Sequence, residues 1–137
     1  MMDIIFIVLG AVAGLVIGIV IGTVIAAVAV QPRKNIWLKI LNRINDVYVG
    51  FFRGTPMVLQ AVFIYYGLPY FTDNAMQFKG SFGMWLAAIL VVSINTGAYL
   101  AEIVRGGIQS VDPGQKEAAL AIGMSYGQTM LHVVLPQ

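Results

Sequence analysis

The chain has 137 residues, of which 59% are hydrophobic and only 10% are charged. Soluble domains carry about 25% charged residues, so this composition excludes an ordinary soluble globule and favours a membrane protein. The absence of cysteine excludes disulfides and thiolate metal sites. The formal charge of +2 does not indicate nucleic-acid binding, because the basic residues flank apolar segments, in the positive-inside pattern. Seven would lie on the cytoplasmic side, with Lys79 outside: Arg33, Lys34, Lys39, Arg43, Arg53, Arg105 and Lys116.

Residues 4–30 predict the first transmembrane helix, because they carry no charge and as a helix would reach about 40 Å, more than a bilayer core. A cleaved signal peptide would need a basic start and a shorter apolar core, so we expect a retained helix with its N-terminus outside. Glycine recurs at every fourth position, which predicts a groove for close helix packing, although glycine is also simply common in membrane helices. These residues are Gly10, Gly14, Gly18 and Gly22.

Residues 31–53 predict a cytoplasmic amphipathic helix with five basic residues and one acid, Asp46. Apolar side chains fall on one face at helical spacing, and the polar ones fall on the other. Such a helix suits the membrane interface or a surface of neighbouring helices. The apolar set is Trp37, Ile40, Leu41, Ile44, Val47, Tyr48 and Phe51, and the polar set is Lys39, Asn42, Arg43 and Asp46.

A second transmembrane helix is predicted over residues 55–71, with Thr55 as its cap and Pro56 in its first turn. The apolar run is short, so we expect extra length before Arg53 or a bend at Pro69. We assign Arg53 and Pro56 structural roles. Residues 72–80 are polar and predict an external loop.

Residues 82–101 predict a third transmembrane helix whose inner half is polar. Asn95, Tyr99 and Glu102 share one helix face, and polar groups at membrane depth usually face the protein interior or a water-filled path. Asn95 and Tyr99 therefore either line a translocation path or form hydrogen bonds between helices. Glu102 is a third candidate for the path, but an ion pair with Arg105, three residues later, is the favoured interpretation.

Residues 111–137 predict a polar helical hairpin. Asp112 suits an N-cap and Pro113 the first helical position, and Gln115 allows a variant of the capping box. Gly123 suits the left-handed residue that ends the first helix. Ser125 and Gln128 repeat the capping pattern, so a second helix is expected to about residue 134.

This hairpin resembles the EAA loop of the permease subunits of ABC importers. The matching residues are Glu117, Ala118, Ala119 and Gly123, followed after nine residues by Val133-x-Leu135-Pro136. Further stretches resemble the permeases of polar amino-acid importers: 48–56 followed by Gln60 and by 63–69, and then 95–110. The resemblance implies that Glu117, Ala118, Ala119, Gly123, Leu135 and Pro136 form a cytoplasmic coupling element that docks on an ATPase subunit.

The expected fold is therefore all-α, with three transmembrane helices and a cytoplasmic helical hairpin, forming the front part of the type I ABC importer permease fold in one partial domain, 1–137. The resemblance implies a multi-pass protein of the cell membrane that carries a polar amino acid by alternating access. Its implied partners are an ATPase subunit, an extracellular or periplasmic solute-binding protein and a second permease.

The chain contains no phosphate-binding loop, so it is expected not to be an enzyme, and ATP and Mg²⁺ would bind the ATPase. No catalytic set, metal site or cofactor of its own is expected. Family members continue with further helices beyond the Leu-Pro pair, so the chain is interpreted as C-terminally truncated. The alternatives are a small membrane anchor or scaffold protein, or an inactive permease fragment.

Overall fold

A computed structural model describes residues 2–31 and 35–137. Arg33 and Lys34, which contribute to the predicted charge asymmetry, lie outside the described residues. The described part is helical and contains no strand, so the predicted all-α class is confirmed. Its elements are α1 (Met2–Ala29), α2 (Ile36–Gly54), α3 (Met57–Val62), a π-helical turn (Phe63–Gly67), α4 (Leu68–Phe71), α5 (Gly80–Ser110), α6 (Pro113–Ala121), α7 (Tyr126–Thr129) and a second π-helical turn (Met130–Val134).

The most extensive packing in the described chain joins α1 to α5. The glycines at every fourth position of α1 are all buried, and α5 lies directly over them: Gly10, Gly14, Gly18 and Gly22. A Cβ atom at Gly22 would lie 2.7 Å from the carbonyl oxygen of Gly97, so only glycine permits this approach. The stripe continues to Ala26, whose side chain is 0% exposed and which the glycine pattern did not include. Close backbone approach is how small residues pair helices in lipid.

The segment between α2 and α3 is a sharp break, and the two helical stretches on either side meet at 106°. Pro56 cannot donate a backbone hydrogen bond, which interrupts the helix there. Thr55 does not cap α3 as expected: it closes α2, and its hydroxyl donates to the carbonyl of Phe51 at 2.9 Å. The Thr55 hydroxyl is therefore hydrogen-bonded to α2 and does not cap α3.

Two described helices, α1 and α5, are long and apolar enough to cross a membrane by themselves. The predicted second span, 55–71, is shorter than expected, because its apolar helical part begins at Met57 and covers only residues 57–71. Fifteen helical residues reach about 22 Å, less than the roughly 30 Å bilayer core. A third span therefore requires the bent pair, 36–54 with 57–71, to count as one crossing.

A small apolar core lies between the first π-helical turn and α5. Ile64, Ala87 and Val91 form its centre, and Tyr65 and Phe78 pack around it. The loop after α4 reverses through two left-handed residues, Asp73 and Asn74, and α5 then begins at Gly80, which also has a positive φ of 63°. This core fixes the second apolar segment against the third.

Helix α5 is longer than the predicted span 82–101, since it continues without a break to Ser110. Thirty-one residues reach about 46 Å, so the helix extends well beyond one bilayer core. Glu102 and Arg105 lie in this extension, which leads directly into the hairpin. As a result, one continuous helix connects the third predicted span rigidly to the hairpin.

Helix α2 presents a different face to the protein from the one its apolar pattern suggested. Asn42 is only 2% exposed, and Asn45 and Val49 are partly buried on the same side. Most of the predicted apolar face is exposed instead, including Trp37 at 73%. The hydroxyl of Tyr48 donates to the carbonyl of Ile94 at 2.5 Å and so holds α2 against α5. The face of α2 that packs inward is therefore partly polar.

Candidate functional site: the hairpin and the charged cluster above it

Two side-chain caps build the hairpin. Asp112 accepts a hydrogen bond from the backbone N–H of Gly114 at 2.7 Å and begins α6, as expected. Ser125 and Gln128 form a complete capping box at the start of α7, which confirms the second predicted cap. Capping satisfies backbone donors that have no partner within their helix, so both helices begin at fixed residues.

Gly123 reverses the chain between the two helices with φ of +89°, the left-handed conformation expected of it. The backbone N–H groups of Gly123 and Met124 donate to the carbonyls of Leu120 and Ala119, at 3.0 and 3.1 Å. This pair of bonds is a Schellman motif, which ends a helix at a left-handed residue. The angle between α6 and α7 therefore depends on one glycine.

Two long side-chain contacts attach the hairpin to the membrane helices. The Lys116 ammonium donates to the carbonyl of Ile108 near the C-terminal end of α5, at 3.2 Å. The Tyr126 hydroxyl donates to the carbonyl of Val30 just beyond α1, at 3.0 Å. Partial burial raises the pKa of Tyr126 above its ordinary value, so the hydroxyl keeps the proton that it donates. The hairpin is thus connected to both long helices.

The outward surface of α6 combines one carboxylate with apolar side chains. Glu117 and Ala118 are exposed, and Leu120 and Ile122 are 51% and 80% exposed. Ala119, placed in the predicted docking set, is only 5% exposed and packs inside the hairpin. The exposed surface of α6 therefore includes Leu120 and Ile122, which the predicted docking set lacked, and leaves out Ala119.

Leu135 and Pro136 lie just after the second π-helical turn, and both are exposed. Beside Leu135, a cleft of about 420 Å³ separates the end of the hairpin from the end of α5. A second groove, of about 380 Å³, follows the exposed reversal around Gly123. The predicted coupling residues are therefore spread over two sides of one hairpin, and Gly123 determines the angle between its two helices.

A charged cluster lies where α2 ends against α5. Arg105 donates two hydrogen bonds to Glu102, at 3.0 and 2.6 Å, which confirms the predicted ion pair. The Arg53 guanidinium approaches the same carboxylate at 3.7 Å and lies 5.5 Å from the ring centre of Tyr99. A guanidinium over an aromatic face is an attractive arrangement. Arg53 thus links two predicted path residues, Tyr99 and Glu102.

Arg53, Glu102 and Arg105 line a cleft of about 220 Å³ between α1, α2 and α5. Asp46 and Asn45 of α2 contribute polar groups to the opposite wall, and apolar residues of α1 close it. Charges of both signs therefore meet in one partly open space. Within the described chain, no group of three His, Cys, Asp or Glu side chains could hold a metal ion.

Asn95 does not join this cluster. Its side-chain amide donates to the side-chain oxygen of Gln60 in α3, at 3.1 Å. This contact supports the interhelical hydrogen-bonding alternative for Asn95. Tyr99, by contrast, is 45% exposed and lies beside Arg53.

Sequence reasoning missed the roles of Gln60, Tyr126 and the exposed pair Leu120 and Ile122. Gln60 had a readable signal, since it is an amide in an apolar run four residues after a proline. Tyr126 had no readable signal in the sequence, because the carbonyl that accepts its hydrogen bond lies 96 positions earlier in the chain. The exposure of Leu120 and Ile122 depends on how the hairpin folds back, which local patterns do not specify.

The fold and the hairpin define a membrane-embedded transport component, and comparison with known proteins agrees. Residues 14–137 match the family described as binding-protein-dependent transport system inner membrane component. Because the match covers most of the chain, the chain belongs to this family. The predicted resemblance to ABC importer permeases is thereby confirmed.

The curated relatives include permeases of amino-acid transport systems. The arginine transport system permease protein ArtQ of Bacillus subtilis is 44% identical over 69% of this chain and 40% of its own length. The glutamine transport system permease protein GlnP of Escherichia coli is 41% identical over 71% of this chain and 42% of its own. The chain thus spans less than half the length of these relatives.

A solved structure gives a similar result. The crystal structure of an amino acid ABC transporter with histidines matches 93% of this chain and 54% of its own, with a TM-score of 0.77 and 34% identity. This similarity is consistent with the front part of the type I importer permease fold.

Proposed function

We propose that the chain acts as a permease subunit that imports a polar amino acid across the cell membrane, driven by a separate ATPase. The two curated relatives described above are permeases of arginine and glutamine transport systems, which supports an amino acid without selecting one. The proposed assembly adds a solute-binding protein on the outer side and a second permease, identical or related. ATP and Mg²⁺ bind the ATPase in this scheme.

The observation that carries this proposal is the rigid outward presentation of Glu117 beside Leu120 and Ile122. A carboxylate flanked by exposed apolar side chains is suited to a groove on another protein that offers a basic residue and an apolar floor. Two caps and two tethers hold this surface in one orientation. Movement of a docked ATPase would therefore move the ends of α1 and α5.

For the translocation path we propose the surface formed by Tyr99 and Glu102, with Arg53 beside them. Both signs of charge and an exposed aromatic ring occur there, which suits a ligand that carries an ammonium and a carboxylate. Closure of the ATPase pair would shift this surface between outward- and inward-facing arrangements by rigid-body motion. In this proposal Asn95 positions α5 through its hydrogen bond to Gln60 and does not line the path.

The carboxylate of Glu117 provides the direct test. In the permease assembled with its ATPase, Glu117→Ala is expected to weaken attachment by about fivefold or less, because a partly exposed ion pair contributes roughly 1 kcal/mol or less. Glu117→Gln keeps the shape and removes the charge, so it should match Glu117→Ala. Co-purification and ligand-stimulated ATP hydrolysis are the measurements. Wild-type values for both variants at low salt would contradict docking through this carboxylate and would favour a scaffold role.

A separate prediction concerns the side of the membrane on which the loop before α5 and the hairpin lie. The chain has no cysteine, so single cysteines report position without background. Met76→Cys in the loop before α5 and Gln115→Cys in α6 are both exposed sites. We expect an impermeant maleimide to label residue 76 only from outside and residue 115 only after the membrane is opened. Labelling of both from outside would rule out a cytoplasmic hairpin.

A further inference from the structure

Gln60 is a buried polar residue placed directly after the break between α2 and α3. It is only 6% exposed. Its amide nitrogen lies 2.9 Å from the carbonyl oxygen of Phe52, 3.0 Å from the carbonyl oxygen of Thr55 and 2.8 Å from the hydroxyl of Thr55. Its amide oxygen accepts from Asn95 of α5 at 3.1 Å. One side chain therefore contacts both sides of the break and a third helix.

The contacts of Gln60 replace backbone bonds that the break removes. In a continuous helix the carbonyl of Phe52 would accept from residue 56, but Pro56 has no N–H. The carbonyl of Thr55 would accept from Leu59, whose N–H instead donates to the carbonyl of Pro56 at 3.0 Å. Both carbonyls would otherwise be left without a helical donor, which is unfavourable in a buried or lipid-facing position. The Gln60 amide supplies the missing donors.

These acceptors also fix which way the amide points. Carbonyl oxygens only accept, so the nitrogen of Gln60 must face Phe52 and Thr55. Its oxygen is then directed at α5, where the Asn95 amide donates. The bend and the link to α5 are consequently one arrangement, since reversing the amide would break both.

We propose that Gln60 is a positioning residue that locks the bend between α2 and α3 to α5. Its mechanical consequence rests on the proposed function: α5 carries the hairpin at its end, so a push on the hairpin reaches the bent pair through the Asn95–Gln60 contact. The bent pair and α5 then move as one body during transport. Arg53, located at the end of α2, would therefore keep its position beside Glu102 of α5 during this motion.

Spin-label distances test the lock without assuming transport. In the protein reconstituted in nanodiscs, one pair of labels at Val47 and Val58 spans the bend, and a second pair at Val58 and Ile103 joins α3 to α5. All three positions are well exposed, and the chain has no native cysteine. We expect narrow distributions for both pairs in the unsubstituted protein.

Three substitutions separate the two halves of the lock. Gln60→Leu removes every contact and should broaden both distributions. Gln60→Glu, measured at a pH at which its carboxyl group is ionised, keeps an acceptor for Asn95 but offers no donor to the carbonyls, so it should broaden the pair across the bend and leave the pair to α5 narrow. Asn95→Leu should do the reverse. General loss of folding would not produce this reciprocal pattern.

Two controls complete the design. Gln109→Leu makes the same chemical change at an exposed α5 position whose side chain forms no hydrogen bond within the described residues, and it should alter neither pair. Labels at Val16 and Leu90 report the α1–α5 packing, which Gln60 does not touch, and should remain unchanged in every variant. Unchanged distributions in Gln60→Leu would overturn the proposal, as would equal broadening of all three pairs.

Transport coupling is measured separately in reconstituted vesicles with the ATPase and binding protein. Gln60→Leu is expected to lower the maximal ligand-stimulated ATP hydrolysis about tenfold. Basal hydrolysis and the ligand concentration for half-maximal stimulation should stay the same, because the hairpin and the binding protein are untouched. Loss of the distance lock with full stimulation would refute the coupling role alone. An unsubstituted protein that gives no stimulation would instead count against the proposed function, while the distances still decide the lock.

Discussion

Gly22→Leu is expected to separate α1 from α5 and to destabilise the protein by about 3 kcal/mol or more, the upper part of the range for overpacking. A Cβ atom there would lie 2.7 Å from the Gly97 carbonyl oxygen, 2.8 Å from Leu100 Cβ and 3.1 Å from the Ala101 nitrogen. Two of these atoms belong to the backbone of a long helix, which cannot turn aside as a flexible side chain can. Gly22→Ala should already be destabilising for the same reason.

The measurement is the thermal unfolding temperature in detergent micelles, with membrane insertion measured alongside. Leucine is more apolar than glycine, so insertion should remain at its original level. Ala11→Leu is the matched control, because it adds a side chain of the same size to an exposed position of the same helix. Equal unfolding temperatures for Gly22→Leu and Ala11→Leu would show that the glycine stripe does not hold the two helices together.

Gly123→Val is expected to reduce ATPase attachment about 5- to 150-fold, the range that corresponds to 1–3 kcal/mol of backbone strain. The left-handed φ of +89° is unfavourable for a β-branched residue. No heavy atom lies within 4 Å of the position that a Cβ would take, so crowding is not the cause. The strain would be relieved by reorienting α6, which misplaces Glu117, Leu120 and Ile122 together.

Two further variants identify strain as the reason. Gly123→Asn should retain most of the attachment, because asparagine tolerates the left-handed region. Gly127→Val places valine in α7 of the same hairpin, again with no atom within 4 Å and without a positive φ. It should behave like the unsubstituted protein. Full attachment and stimulation in Gly123→Val would contradict the assignment of this hairpin as the coupling element.

Local patterns in the sequence predicted much of this protein. The Asp112 cap, the capping box of Ser125 and Gln128, and the left-handed Gly123 depend on residues one to five positions apart, and all occur in the structure. The ion pair of Glu102 and Arg105 follows from spacing within one helix in the same way. Long uncharged runs determined the all-α class, because a backbone in lipid must satisfy its own hydrogen bonds.

Contacts between distant segments were decided only by the tertiary structure. The spacing of Gly10 to Gly22 defined a small-residue stripe, but not that α5 covers it. The apolar pattern of α2 suggested one packing face, whereas Asn42 turned inward, since the Tyr48 bond to α5 fixes the rotation of the helix. Gln60 was visible as an amide near a proline, yet its partner Asn95 lies 35 residues away. Helical periodicity specifies which residues share a face, and it carries no information about which neighbour that face meets.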